Sequence, residues 1–91
     1  MVYHDGMEVR FTKHAEEKFA VLKQHGLIIS RTKVTETVLQ PARVDLMSRS
    51  PLRIAQSDFD ARRVLRVVYK VERDILVVIT FYPGRKSQYE H

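Results

Sequence analysis

The chain has 91 residues, no cysteine and a formal net charge of +5, a size that suits one domain built on one hydrophobic core. The missing thiol excludes disulfide frameworks, thiolate catalysis and cysteine-bound zinc. Apolar residues make up 44% of the sequence and fall in periodic segments, which argues against disorder, while the longest apolar stretch, Ile75 to Phe81, is too short to span a bilayer.

In chain order, Glu8-Val9-Arg10-Phe11 alternates and reads as a short first strand. Thr12 then stands where a helix N-cap belongs. Ala15, Phe19 and Leu22 recur at helical spacing, Glu16 and Glu17 lie near the positive end of the dipole, and Gly26 follows as a C′ residue, so the first helix is predicted from Lys13 to about His25. Ser30 is a second N-cap candidate, with Ile29 and Val34 in the two positions of a hydrophobic staple. A helix over 31–39 follows and must stop near Gln40, because Pro41 disfavours helical geometry in the residue before it.

Beyond Pro41 the period becomes alternating. Val44 and Leu46 mark one short strand, and Leu52 and Ile54 mark another after a turn at Ser48 to Pro51. The β-branched and aromatic runs Val64 to Val71 and Ile75 to Tyr82, joined through Glu72-Arg73-Asp74, form a hairpin expected at the centre of the sheet. The predicted fold is α+β, a single domain over 1–91 in the order β-α-α-β-β-β-β, with two N-terminal helices packed on an antiparallel sheet. Buried positions should include Phe19, Leu22, Val34, Val38, Val67 and Val78. The tail from Lys86 to His91 reads as a mobile end.

The positive charge is concentrated. Between Arg43 and Arg66 stand six arginines (43, 49, 53, 62, 63 and 66) against three aspartates (45, 58 and 60). Such an excess points either to a polyanionic partner or to a solvated sheet face. A two-residue turn at Arg73-Asp74 would place Leu65 opposite Tyr82 and Val67 opposite Thr80, with Arg66 and Phe81 on the other face. Arg63 and Tyr82 then become neighbours at the open end of the hairpin, where Pro83-Gly84-Arg85-Lys86 leaves the sheet. Cations, a phenol and a glycine there suit a phosphate-bearing ligand, or else a solvated strand end.

His14 lies at the second position of the first helix, on a stripe with Lys18, Val21 and His25 that flanks the apolar face. It could exchange protons near neutral pH or bind phosphate at the helix start; it could equally cap or pack there. The four histidines form no His-x-x-x-His pair and no carboxylate completes a ligand set, so neither metal nor cofactor is expected. Walker, dinucleotide-binding, serine-hydrolase and helix-turn-helix signatures are missing. Met1 to Gly6 has no cationic start followed by an apolar run, so the expected location is cytoplasmic, with no membrane partner.

Phe11-Thr12-Lys13-His14-Ala15, Gly26-Leu27-Ile28, Leu39-Gln40-Pro41, Leu65-Arg66-Val67-Val68-Tyr69 and Val78-Ile79-Thr80-Phe81-Tyr82-Pro83 together resemble a family of small domains of unknown function. That family is similar to the RelE, ParE and BrnT toxins of toxin–antitoxin modules. The resemblance covers nearly the whole chain, and the order of the motifs is more specific than any one of them. The family pattern favours arginine where Lys18 and His25 stand here. The resemblance implies a RelE-like fold and a metal-independent ribonuclease that activates a ribose 2′-OH against the adjacent phosphate. It implies His14, Arg63, Tyr82 and Arg85 as catalytic candidates, and Arg53, Arg66, Lys86 and Tyr89 as RNA contacts. The alternative is a non-catalytic basic module that binds RNA or an antitoxin-like protein. Composition and spacing leave the oligomeric state open.

Overall fold

A computed structural model describes residues 7–48 and 50–89. Strand β1 (Glu8–Phe11) runs directly into helix α1 (Lys13–Gln24), and helix α2 (Arg31–Leu39) follows. Strands β2 (Arg43–Leu46), β3 (Arg53–Asp58), β4 (Arg63–Glu72) and β5 (Ile75–Arg85) come next, and a helical turn α3 (Lys86–Tyr89) closes the described chain. No described helix is long and apolar enough to cross a membrane.

Local chemistry accounts for the helix bounds. Thr12 is the N-cap of α1, its hydroxyl accepting from Ala15 N at 3.1 Å, and Ser30 caps α2 by accepting from Lys33 N at 3.0 Å. Ile29 and Val34 are both buried, as the two ends of a hydrophobic staple should be. At the other end of α1, Gly26 adopts φ +83°. Its N–H donates to Lys23 O at 3.0 Å and the Leu27 N–H donates to Leu22 O at 2.9 Å, the paired bonds of a Schellman motif. A side chain at Gly26 would meet the left-handed penalty that glycine avoids.

The sheet has the order β1-β5-β4-β3-β2, with β4 at its centre. It is mixed, not antiparallel throughout: β1 pairs in parallel with β5, from Glu8 opposite Ile75 to Phe11 opposite Val78. The remaining pairs are antiparallel. Alternation in Glu8 to Phe11 marks a strand but reads the same in either direction, so the sense of pairing had no local signature.

Register is the second correction. Glu72 pairs with Ile75 and Tyr69 with Val78 as a two-residue turn requires, with Arg73 at φ +56°. The ladder then shifts between Val68 and Tyr69, where Ile79 is the extra residue of a β-bulge. Beyond it Val68 faces Thr80, Val67 faces Phe81, Arg66 faces Tyr82 and Leu65 faces Pro83. The expected pairs Leu65 with Tyr82 and Val67 with Thr80 are therefore each displaced by one residue. Nor does Pro83-Gly84-Arg85 leave the sheet; these residues continue β5 opposite Leu65, Val64 and Arg63. A proline is tolerated there because β1 covers β5 only from Ile75 to Val78, leaving this part of β5 at an edge.

Both helices cover one face. Ala15, Ile29, Val34 and Val38 pack with Ala55, Leu65, Val67, Tyr69, Leu76, Val78 and Phe81, and Phe11, Phe19 and Leu22 complete the rim of this core. Of the six positions expected inside, Val34, Val38, Val67 and Val78 are buried, whereas Phe19 and Leu22 are half-buried at the edge of the sheet. The Phe19 ring nevertheless meets Phe81 at 4.7 Å between centroids, within the range of a favourable aromatic pair.

One threonine joins three of these features. Besides capping α1, the Thr12 hydroxyl donates to Ile79 O at 3.1 Å, and the Thr12 N–H donates to Val78 O at 3.0 Å. Replacing Thr12 by alanine should lower stability by about 1–2 kcal/mol, the upper range of a lost N-cap. Urea unfolding monitored by circular dichroism measures this, and a change within error would remove Thr12 as the tie between α1 and the bulge.

Candidate anion-binding groove

The second face of the sheet is polar at its centre. Arg66, on the central strand, is 5% exposed. Its Nε donates to Tyr82 Oη at 3.2 Å, its Nη1 to Gln56 Oε1 at 2.5 Å and its Nη2 to Asp45 Oδ2 at 3.1 Å. The edge of the guanidinium is thus bonded to three neighbours, and the Tyr89 ring covers its flat side with the centroid 4.1 Å from Cζ. Asp45 also accepts two bonds from Arg43. Those Arg43 bonds hold the Asp45 carboxyl below its ordinary value of 3.8; partial burial opposes the shift and the Arg66 bond adds to it.

At the open end of the β4–β5 hairpin lies a groove of about 910 Å³, lined by Asp60, Ala61, Arg62, Arg63, Arg85, Lys86 and Ser87. The β3–β4 turn forms one side. Asp60 Oδ1 accepts from the N–H groups of Arg62 at 3.0 Å and Arg63 at 2.7 Å, and its Oδ2 accepts from Arg63 Nε at 2.8 Å. The Arg63 side-chain bond, followed by the Arg62 backbone bond, keeps the Asp60 carboxyl ionised below its usual range. Arg63 is steadied further by the Phe59 ring, 5.3 Å from its Cζ. The other side comes from the end of β5 and from α3, where Lys86 N donates to Arg62 O at 2.9 Å.

The groove gathers some of the expected site residues and not others. Arg63 and Arg85 are direct cross-strand partners, and Lys86 lines the same groove. The Arg85 side chain is exposed and makes no hydrogen bond or ion pair among the described residues. Tyr82 is paired with Arg66, so it lies on the strand face opposite to Arg63, contrary to the expected Arg63–Tyr82 neighbourhood. His14 Nε2 lies 3.2 Å from Thr80 Oγ1, a contact with β5 on the N-terminal side of Tyr82. Arg53 pairs with Tyr69 at the far end of β3 from Asp58, which faces Val64 near the groove.

Arg66 and Tyr89 stack on each other in the interior of the second face. The tail read as a mobile end is, as far as Tyr89, a docked helical turn; His91 lies outside the described residues, as does His4. Arg62, counted in the sequence only as one of the clustered arginines, also lines the groove beside Arg63. The Arg66 network had a faint signal: a lone arginine inside the run Val64 to Tyr69, where an exposed charge would interrupt an otherwise buried strand. Among the described residues no group of His, Asp and Glu could hold a metal ion.

Comparison with family models, curated protein sequences and solved structures finds no match to this chain.

The Asp45–Arg66 pair yields a stability test. Asp45 is about one-third exposed while Arg66 is nearly covered, so removing the carboxylate leaves a desolvated cation with Gln56 as its remaining strong acceptor. Asp45→Asn should cost about 1–2 kcal/mol at pH 7, below the ~3–5 kcal/mol of a fully buried pair because solvent screens Asp45. The folded-state pKa of Asp45 is depressed, so its stabilisation is complete above the ordinary value of 3.8 and is lost as pH falls through the folded value. Wild type and Asp45→Asn should therefore differ in denaturant midpoint at pH 7 and converge under acid conditions.

Proposed function

We propose that this protein is an RNA-binding module that grips the phosphate backbone in the groove at the open end of the β4–β5 hairpin. The observation that carries the reading is charge placement: Arg62, Arg63, Arg85 and Lys86 line one groove with a single carboxylate, Asp60. That carboxylate is already occupied by Arg63 and by two turn amides. Like charges directly opposite on paired strands repel, and Arg63 faces Arg85 in the ladder. A phosphate between two guanidiniums turns that repulsion into charge-assisted bonding, with planar donors matched to its oxygens. The Ser87 hydroxyl adds a further donor on the C-terminal wall. A polymer with evenly repeated phosphates can engage Arg62 and Lys86 along with the arginine pair.

The second reading is RNA cleavage of the toxin type, without a metal. His14 is the proton carrier it would need, but the imidazole reaches β5 at Thr80, five residues and roughly 17 Å along the extended strand from Arg85, and lies outside the groove. Cleavage would require that imidazole to meet a ribose 2′-OH whose adjacent phosphate sits in the groove, with the arginines stabilising the developing charge. His14→Ala should then lower cleavage by roughly 10²-fold with little change in binding. A pure binding module leaves RNA intact in the wild type as well.

Titration of a fluorescent single-stranded oligoribonucleotide at several salt concentrations tests the binding reading. Affinity should fall with added salt at a slope of about −0.7 per phosphate contact. Arg85→Ala should reduce both the affinity and that slope while changing stability by less than about 1 kcal/mol, because Arg85 is exposed. Binding that ignores salt, or that survives Arg85→Ala unchanged, would overturn phosphate recognition at this groove.

A further inference from the structure

The C-terminal wall of the groove is made by Lys86 and Ser87, the first residues of a turn only four residues long. A single helical turn does not hold its own shape in water, so its position must come from contacts at its two ends. At the first end the Lys86 N–H bonds to Arg62 O at 2.9 Å, and Lys86 Nζ lies 3.5 Å from Oδ2 of the exposed Asp58, a long pair of small energetic weight. The second end is held more firmly. Tyr89 lays its ring over the Arg66 guanidinium, and Arg43 Nη1 donates to Tyr89 O at 2.5 Å. The ring also sits against Gly84, where a Cβ would overlap its Cδ2 and Cε2 carbons.

We infer that Tyr89 is the positioning residue of the groove: it docks the C-terminal turn on the second face of the sheet and thereby places Lys86 and Ser87 for phosphate. Tyr89 is not among the groove's lining residues, so it acts through the turn and not on the ligand. Its seat is rigid because the Arg66 guanidinium is bonded along its edge to Tyr82, Gln56 and Asp45. No hydrogen bond from the Tyr89 hydroxyl enters this arrangement among the described residues; the ring face does the holding. Gly84 is the other half of the seat, its missing side chain leaving room for the ring. The inference rests on the phosphate-binding reading for its affinity consequence alone.

The test uses Tyr89→Ala, Tyr89→Phe and Gly84→Ala with two readouts. The first is hydrogen exchange at the Lys86 amide, which reports docking of the turn whether or not RNA binds. The second is affinity for a single-stranded oligoribonucleotide across a salt series. Tyr89→Ala and Gly84→Ala should speed exchange at Lys86 while the β4 amides stay protected. They should weaken RNA binding roughly three- to tenfold, as expected for a lost cation–π contact, and make the salt slope shallower by about 0.7, the share of one phosphate contact. Tyr89→Phe keeps the ring and should match the wild type in both. Combining Tyr89→Ala with Lys86→Ala should weaken binding little more than Lys86→Ala alone.

A Lys86 amide that stays as protected in Tyr89→Ala as in the wild type overturns the inference. So does a Tyr89→Ala protein with an exposed Lys86 amide and undiminished RNA affinity. A general loss of stability that also exposes the β4 amides would make Tyr89 a support of the sheet and would likewise overturn it. If the wild type binds no RNA, the phosphate reading falls by itself, and exchange at Lys86 still decides whether Tyr89 docks the turn.

Discussion

The extra residue in β5 governs the rest of the molecule. Strand parity has a period of two, so inserting Ile79 into the ladder exchanges the faces of every residue that follows it. Phe81 thereby enters the helix-covered core, where it meets Phe19, and Tyr82 comes to stand opposite Arg66. Without the bulge the phenol would point into the core and the phenyl ring would sit among the charged groups of the second face. Thr12 holds the bulge by bonding to Val78 O and Ile79 O while capping α1. Helix start, strand pairing and register are therefore set at one place.

The two faces of the sheet are closed by different physics. One is covered by α1 and α2 through apolar contact, a non-directional attraction that tolerates small shifts. The other carries Arg66, whose burial is acceptable because each edge of its guanidinium has a partner. A buried ion pair of this type contributes little net stability compared with apolar packing, but its geometry admits few alternatives. That directional demand makes Arg66 a suitable seat for the Tyr89 ring, which must return to one place for the C-terminal turn to be ordered.

The groove lies where these constraints end. A cross-strand pair of arginines, a third arginine in the turn and a lysine at the start of α3 gather there, and the facing arginines act against the ladder. Asp60 offsets one of them while organising the turn through backbone amides.

Much of the fold was legible from local patterns. The caps Thr12 and Ser30, the C′ glycine at 26, the stop before Pro41 and the long β-branched runs act through neighbouring residues, so short stretches of sequence carry them. The concentration of arginines near the β3–β4 turn and the end of β5 was equally visible as charge. What tertiary structure alone decided was everything that depends on pairing between distant strands. Alternation in Glu8 to Phe11 has no direction, so only docking against β5 makes β1 parallel. A bulge at Ile79 leaves no mark in a continuous apolar run, yet it exchanges the roles of Phe81 and Tyr82. Arg66 stands out in the sequence as a lone charge in an apolar run, but its partners Asp45, Gln56, Tyr82 and Tyr89 come from four separate parts of the chain and only the fold brings them around it. Long-range register is a sum over many weak contacts, and no single segment contains it.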